Sequence, residues 1–292
     1  MSSNRHASPL RYPGGKSILY EFLAEVIEDN GLEDGVYAEV YAGGAGAALK
    51  LLFSDHVESI IINDADPCIY NFWSALLSKP DKFTDLIENT VVSIDEWMHQ
   101  REIYLNPAKH SQLKVGFATF YLNRCNRSGI LQKGGPIGGY DQKGKWLIDA
   151  RFNKADLIKR IEKINLYKDR IKASNLDAMD FLSNVARVHP AVDRMFVYLD
   201  PPYYIKGSSL YMNHYLHDDH VELAEFMKTQ TTFKWVMSYD NCPQINQLYI
   251  DHNRISFSLA YSAHTAKVGS ELLIYNDEVL IREQSEALPM VM

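Results

Sequence analysis

The sequence predicts an α/β fold: an open, mostly parallel sheet whose alternation is broken by a mostly helical insertion. Three observations point there. Short apolar runs at 36–41, 59–63 and 195–199, bounded by turn residues, have the length and composition of buried strands. Segments with helix-spaced apolar positions alternate with them. Between 68 and 167 the strand pattern stops.

The elements follow in order. Residues 17–29 place Ile18, Leu19, Phe22, Leu23, Val26 and Ile27 at helical spacing. Residues 36–41 read as a strand, followed by a Gly/Ala-rich turn and a short helix through Phe53. The run 59–63, with Ile60, Ile61 and Ile62, is a second buried strand. Helices are expected at 69–77, 83–89, 94–104 and 113–123. Six glycines and Pro136 within 128–146 then predict a loop or irregular hairpin, and 156–168 another helix. Alternation resumes with a strand at 171–175, a helix at 178–186, the strand at 195–199 and a helix at 217–228. Strands at 233–238, 254–260 and 271–275 close the sheet. Residues 1–67 and 168–292 thus form one α/β body, and 68–167 an inserted unit with its Gly-rich hairpin or loop near 126–148.

Composition bounds the function. Of 292 residues, 46% are hydrophobic and 23% charged, which excludes intrinsic disorder. No apolar run approaches the roughly 20 residues of a membrane span, and MSSNRHASPLRYPGGK lacks a secretory signal. Cys68, Cys125 and Cys242 form no CxxC pattern, which argues against a disulfide framework or a Cys zinc site and fits a cytoplasmic location. The net charge is −7, but it is segregated. Residues 101–172 hold 16 Lys and Arg against 6 Asp and Glu; the remainder holds 14 against 31. A polyanion-binding segment on an acidic body has this distribution, as do solvated helix faces.

Three motifs carry chemistry. Asp200-Pro201-Pro202-Tyr203 follows the strand at 195–199, at a strand end where open α/β sheets bind ligands. Two prolines fix two φ angles and remove two donors. Asp200 and the Pro201 carbonyl can accept the two hydrogens of an exocyclic amine, and Tyr203 offers a stacking face; the alternative is a rigid surface turn. Glu39-Val40-Tyr41-Ala42-Gly43-Gly44-Ala45-Gly46 is a second strand-end turn, with Asn63-Asp64 ending the next strand. An acid about 20 residues after such a turn typically holds ribose hydroxyls, and the G-x-G-x-x-G spacing is not met, so the pair reads as an adenosine site without strong phosphate recognition. A packing turn is the alternative. Arg11-Tyr12-Pro13-Gly14-Gly15-Lys16 opens the first helix.

RYPGGK, AEVYAGGAGAAL, NDADP, LDAMDFL and DPPY, in that order, resemble the D12 class of DNA adenine N6-methyltransferases, the Dam-like family. MSYDN and ELLIYN look like its later strands, so the resemblance covers nearly the whole chain. It implies a Rossmann-like, S-adenosylmethionine-dependent methyltransferase sheet with an inserted DNA-recognition domain. It implies a catalytic role for Asp200, Pro201, Pro202 and Tyr203, and a donor site of Tyr12, Lys16, Glu39, Tyr41, Gly43, Gly46, Asp64, Asp180 and Phe181. Asn123-Arg124 and Asn126-Arg127-Ser128-Gly129 resemble the start of the family's DNA-reading hairpin. Arg124, Asn126, Arg127, Ser128, Lys133, Lys143 and Lys145 are therefore expected DNA contacts. Val40 stands where proline is usual and Tyr41 where phenylalanine is usual. The stretch after Gly129 is unlike that of GATC-methylating members, so the resemblance carries over no recognition sequence.

The implied reaction moves a methyl group from S-adenosylmethionine to N6 of an adenine flipped out of double-stranded DNA. The implied partners are double-stranded DNA and, in a restriction-modification setting, a cognate restriction endonuclease; no membrane and no metal are implied. Tyr211, His214 and Tyr215 either cover the flipped base or are ordinary loop aromatics. His56-Val57-Glu58 and His220-Val221-Glu222 lack the P-C-x-x-C of zinc deaminases and read as surface polarity. The rival readings are an RNA or protein-amide methyltransferase, and a DNA-binding module with a vestigial methyltransferase body.

Overall fold

Strand and helix boundaries follow local chemistry. Met195–Leu199 (β4) is buried along its whole length, as a strand covered on both faces must be. Val36–Glu39 (β1), Ser59–Asn63 (β2) and Ile171–Ser174 (β3) pair in parallel on one side of β4, and Lys234–Asp240 (β5) pairs in parallel on the other. Asn253–Tyr261 (β6) and Lys267–Tyr275 (β7) close the sheet antiparallel, in the order β3-β2-β1-β4-β5-β7-β6. The computed structural model describes residues 7–11, 16–205, 215–261, 267–282 and 287.

Alternation along the strands sorts two cores. Tyr37, Ile60, Ile62, Phe196, Tyr198 and Val236 face one side, covered by Tyr20–Asp29 (α1), Gly46–Phe53 (α2) and the helices that follow β2. Ala38, Val40, Val197, Leu199, Trp235 and Met237 face the other, against Ala178–Val188 (α8), His217–Lys228 (α9) and Pro243–Leu248 (α10). Sequence periodicity did not indicate α10, which is only six residues long. The first helix begins differently from expectation: Lys16–Leu19 is a 3-10 turn, and the α-helix starts at Tyr20.

Five helices separate β2 from β3: Pro67–Ser78 (α3), Pro80–Asn89 (α4), Ile94–Leu105 (α5), Gln112–Cys125 (α6) and Lys154–Leu166 (α7). Three of them, α3, α5 and α7, start on a side-chain cap. Asp66 accepts from the Cys68 N–H, Ser93 from Glu96 and Asn153 from Asp156. Phe72 of α3 stacks on Phe120 of α6 at 6.1 Å, and Phe83 of α4 meets Phe120 edge-on at 5.5 Å. Gly116 permits the α3–α6 crossing, because a Cβ there would sit 2.5 Å from the Asn71 carbonyl oxygen. From 126 to 150 the described residues hold one short 3-10 turn and one isolated bridge, Asn126 with Pro136, rather than a two-stranded ladder.

Strand order reverses at β1, which lies between β2 and β4. Open α/β sheets bind ligands at the carboxyl edge beside such a reversal. The segments leaving β1, β2, β4 and β5 converge on that edge. Register pairs Asp240 at the end of β5 with Glu271 of β7, which brings the antiparallel strand there too.

Candidate active site

The turn after β4 is held from two directions. Asp240 accepts the N–H groups of Tyr204 and Ile205, one on each carboxylate oxygen, at 2.9 Å. This fixes the backbone just beyond Pro201 and Pro202, which lack N–H groups. The Asp200 carboxylate accepts from Ser238 Oγ at 2.8 Å and lies 3.2 Å from Lys16 Nζ. Because Ser238 donates to Asp200, the Tyr198 hydroxyl, 2.8 Å away, donates to Ser238. Lys16 Nζ donates to the Tyr203 hydroxyl at 2.6 Å, and that hydroxyl donates to Glu271 Oε1. Glu271 is 1% exposed, and its Oε2 lies 3.2 Å from Lys16 Nζ. Burial raises the pKa of both Asp200 and Glu271, and the Lys16 charge opposes the rise. Sequence reasoning gives Tyr203 an open stacking face, but its side chain is buried in this state.

The expected donor side joins β1 to β2. Gly43 takes a positive φ of 46° and Ala45 enters α2 at 47°, a tight turn that presents the Gly43 N–H to Asp64 Oδ2 at 2.8 Å. Asp64 Oδ1 accepts from the Asp66 N–H at 2.9 Å. Desolvation pushes the Asp64 carboxyl up to about 7, against the pull of these two amides. Trp73 of α3 donates its indole N–H to the Gly43 carbonyl at 2.9 Å. Glu39 is buried, and its Oε2 has no hydrogen-bond partner among the described residues. Burial, reinforced by the nearby Asp200 charge, raises its pKa strongly, while the Ala48 N–H lowers it. Gly46 serves packing: a Cβ there would meet the Ser17 Cβ at 3.1 Å, so the Lys16–Leu19 turn lies directly on the start of α2.

Other expected site residues lie close by in the fold. Tyr41 shares a 2.8 Å hydroxyl contact with Tyr215, and burial raises both phenol pKa values, that of Tyr215 to about 12. Asp180 is exposed in the first turn of α8, while Phe181 is buried against the sheet. Tyr12, Tyr211 and His214 lie outside the described residues.

The expected DNA contacts divide. Arg127, Lys133, Lys143 and Lys145 are exposed, and Ser128 is half-buried at a positive φ of 55°. Arg124 is 7% exposed; its Nε donates to the Arg151 carbonyl at 2.7 Å, and burial lowers its pKa to about 9. Asn126 is fully buried, accepting the Trp97 indole N–H at 2.7 Å and donating to the Ile130 carbonyl at 2.7 Å. The structure therefore spends the polar groups of Arg124 and Asn126 inside the protein. The cause is that α6 runs on to Cys125 and Asn126 caps it, where a loop was expected. His220 also departs from its surface reading. It is 1% exposed, with Nδ1 2.8 Å from the Tyr239 hydroxyl, because α9 turns His220, Leu223, Ala224 and Met227 inward.

Several residues escaped the sequence reading. Asn123 grips Arg11 by both its N–H and its carbonyl, at 2.6 and 2.8 Å, and also the Gly129 carbonyl. Gln142 organises the loop, donating to the carbonyls of Ile137 and Gly139 and accepting from the Ile148 N–H. Ser238 and Asp240 in MSYDN and Glu271 in ELLIYN read only as parts of later strands; the signal of a role is a polar residue set in an otherwise apolar strand. Among the described residues there is no cluster of three metal-ligating side chains, and no helix is long and apolar enough to cross a membrane.

No curated protein matches the sequence. Among solved structures, the rRNA methyltransferase AviRa from Streptomyces viridochromogenes aligns over 88% of this chain and 85% of its own, at 16% identity and a TM-score of 0.32. The family model for D12 class N6 adenine-specific DNA methyltransferases matches residues 12–263, most of the chain and the ends of β1, β2, β4 and β5. The protein accordingly belongs to the D12 class of N6 adenine-specific DNA methyltransferases.

Proposed function

We propose that this chain transfers the methyl group of S-adenosylmethionine to the N6 amine of an adenine taken out of duplex DNA, within one short recognition sequence. One observation carries the reading. Asp200 and Lys16 meet at the end of β4, at the same sheet edge as the Gly43–Asp64 pair at the ends of β1 and β2. The residues fit the donor: a half-buried carboxyl for the ribose hydroxyls at Asp64, and an orphaned buried oxygen at Glu39 for a cationic or hydroxyl-bearing group. Glu39, Tyr41, Gly43, Asp64, Asp180 and Phe181 would hold it, with Lys16 and Tyr12 beside them. When bound, the donor supplies an electrophilic methyl group.

The chain's own residues make the amine reactive. Asp200 accepts one N6 hydrogen and the Pro201 carbonyl the other, which favours a more tetrahedral nitrogen with an available lone pair. Asp200 also faces the positive charge that develops on that nitrogen and accepts its surplus proton. Ser238 and Lys16 fix the carboxylate in advance, so little reorganisation is needed. Tyr203 stacks on the base once its present cover is displaced, offsetting part of the few kcal/mol that unpairing costs. Arg127, Lys133, Lys143 and Lys145 contact phosphates or base edges from the Gly-rich loop of an inserted recognition unit spanning 68–167. Arg124, Asn126 and Ser128 shape that loop.

The test is incubation with labelled S-adenosylmethionine and unmethylated genomic DNA, followed by single-molecule sequencing. The expected result is N6-methyladenine within one short motif. A protein that binds the donor yet leaves DNA unlabelled would overturn the reading.

A further inference from the structure

We propose that Glu271 is a positioning residue of the transfer centre: its carboxylate shares the Lys16 ammonium with Asp200, so that Lys16 fixes Tyr203 without cancelling the negative charge facing the target amine. This rests on the reaction proposed above. Glu271 is 1% exposed and comes from the antiparallel strand β7, in a stretch for which the sequence implied a strand and no catalytic or binding role. Lys16 Nζ lies 3.2 Å from one oxygen of Glu271 and 3.2 Å from one oxygen of Asp200. One cation thus stands between two carboxylates. Were Asp200 its sole counter-ion, the pair would be neutral, and the field at the amine would vanish just as the nitrogen becomes cationic. In a buried site that residual charge acts through little screening. The same carboxylate accepts the Tyr203 hydroxyl, which locks the ring next to Asp200. Among the described residues, the groups facing Glu271 are Lys16, Asp200 and Tyr203, with Tyr198 of β4 nearby, Asp240 across on β5 and the apolar Phe257 on β6.

The test compares the full-length wild type with Glu271→Gln, Glu271→Asp, Tyr203→Phe and the Gln/Phe double variant. Each is assayed in single turnovers on a duplex bearing the mapped target, across pH, with donor affinity and melting temperature measured alongside. Glu271→Gln keeps the shape and removes the charge, so transfer slows on the order of 10²-fold while donor affinity holds. Its rate profile loses one acidic ionisation, Glu271→Asp recovers part of the rate, and the double variant costs less than the product of the singles. A Gln variant with the wild-type rate and profile overturns the proposal. So does one whose rate, donor affinity and melting temperature fall together, with Glu271→Asp no better. If the wild type itself leaves adenine unmodified, the reaction and this role fall together; if it methylates and Glu271→Gln matches it, only this role falls.

Discussion

At the carboxyl edge of the sheet, charged side chains are buried or half-buried and bonded to one another, whereas between 126 and 150 the cations stand in water and the amide of Asn126 is buried. Lys16, Asp200, Tyr203, Glu271 and Ser238 form one contiguous network in which moving any member moves the rest. In the loop, Asn126 and Gln142 satisfy the backbone from inside, and among the described residues Lys143 meets an exposed Asp141 at 3.5 Å. Bond-making needs fixed dipoles in a site shielded from water, and grip on a polyanion needs solvated cations that release counter-ions and adapt. The two regions place their charges in opposite surroundings, one shielded and one solvated, and substitutions in them should fail differently.

The sharpest break comes at Asp200. Asp200→Ala should reduce single-turnover methylation by on the order of 10³-fold or more, because both the acceptor and the charge facing the amine are lost. Donor affinity, set at other strands, should stay within about twofold by calorimetry. Next comes Asp64. Asp64→Asn should weaken donor binding about tenfold, roughly 1.4 kcal/mol. Burial holds the Asp64 carboxyl near 7, so in the wild type the ionised form is lost as pH falls through that value. Wild-type donor affinity should therefore decline from about pH 8 to about pH 6, and the asparagine variant should be flat over the same range. An unchanged slope would remove Asp64 from the donor site. The smallest effects belong to the loop. Lys143→Ala and Lys145→Ala should each lower DNA affinity a few-fold on every sequence and reduce the salt slope by about 1. A change in sequence preference instead would mean that these lysines read bases, and the comparison would have to be redrawn.

The strands and most helices were legible because β1, β2 and β4 are apolar along their length and the helices carry regular apolar spacing. Asp200, Asp64 and the Gly43 turn were legible because their chemistry sits in contiguous residues. Glu271 and Asp240 were not. Their meeting depends on the β5–β7 register, which no local pattern encodes. Arg124 and Asn126 were expected at the DNA because 123–129 resembles the start of the family's reading hairpin; a motif match gives residue types but not burial, and here α6 runs on to Cys125 and both side chains are buried. His220 misled for a related reason: a lone histidine on a polar helix gives no sign of the tyrosines that enclose it.

The ion pair between Lys16 and Glu271 spans 255 positions of the chain. During synthesis β1, β2 and the donor turn emerge long before β7, and β7 must find its place beside β5 before Glu271 can reach Lys16. Contacts so distant in sequence form late, after the local helices and the first parallel strands are available. An incomplete chain on the ribosome therefore carries the Gly43 turn without the Lys16–Glu271 pair, and on the roles proposed above, assembly of the last strands is the event that completes the transfer centre.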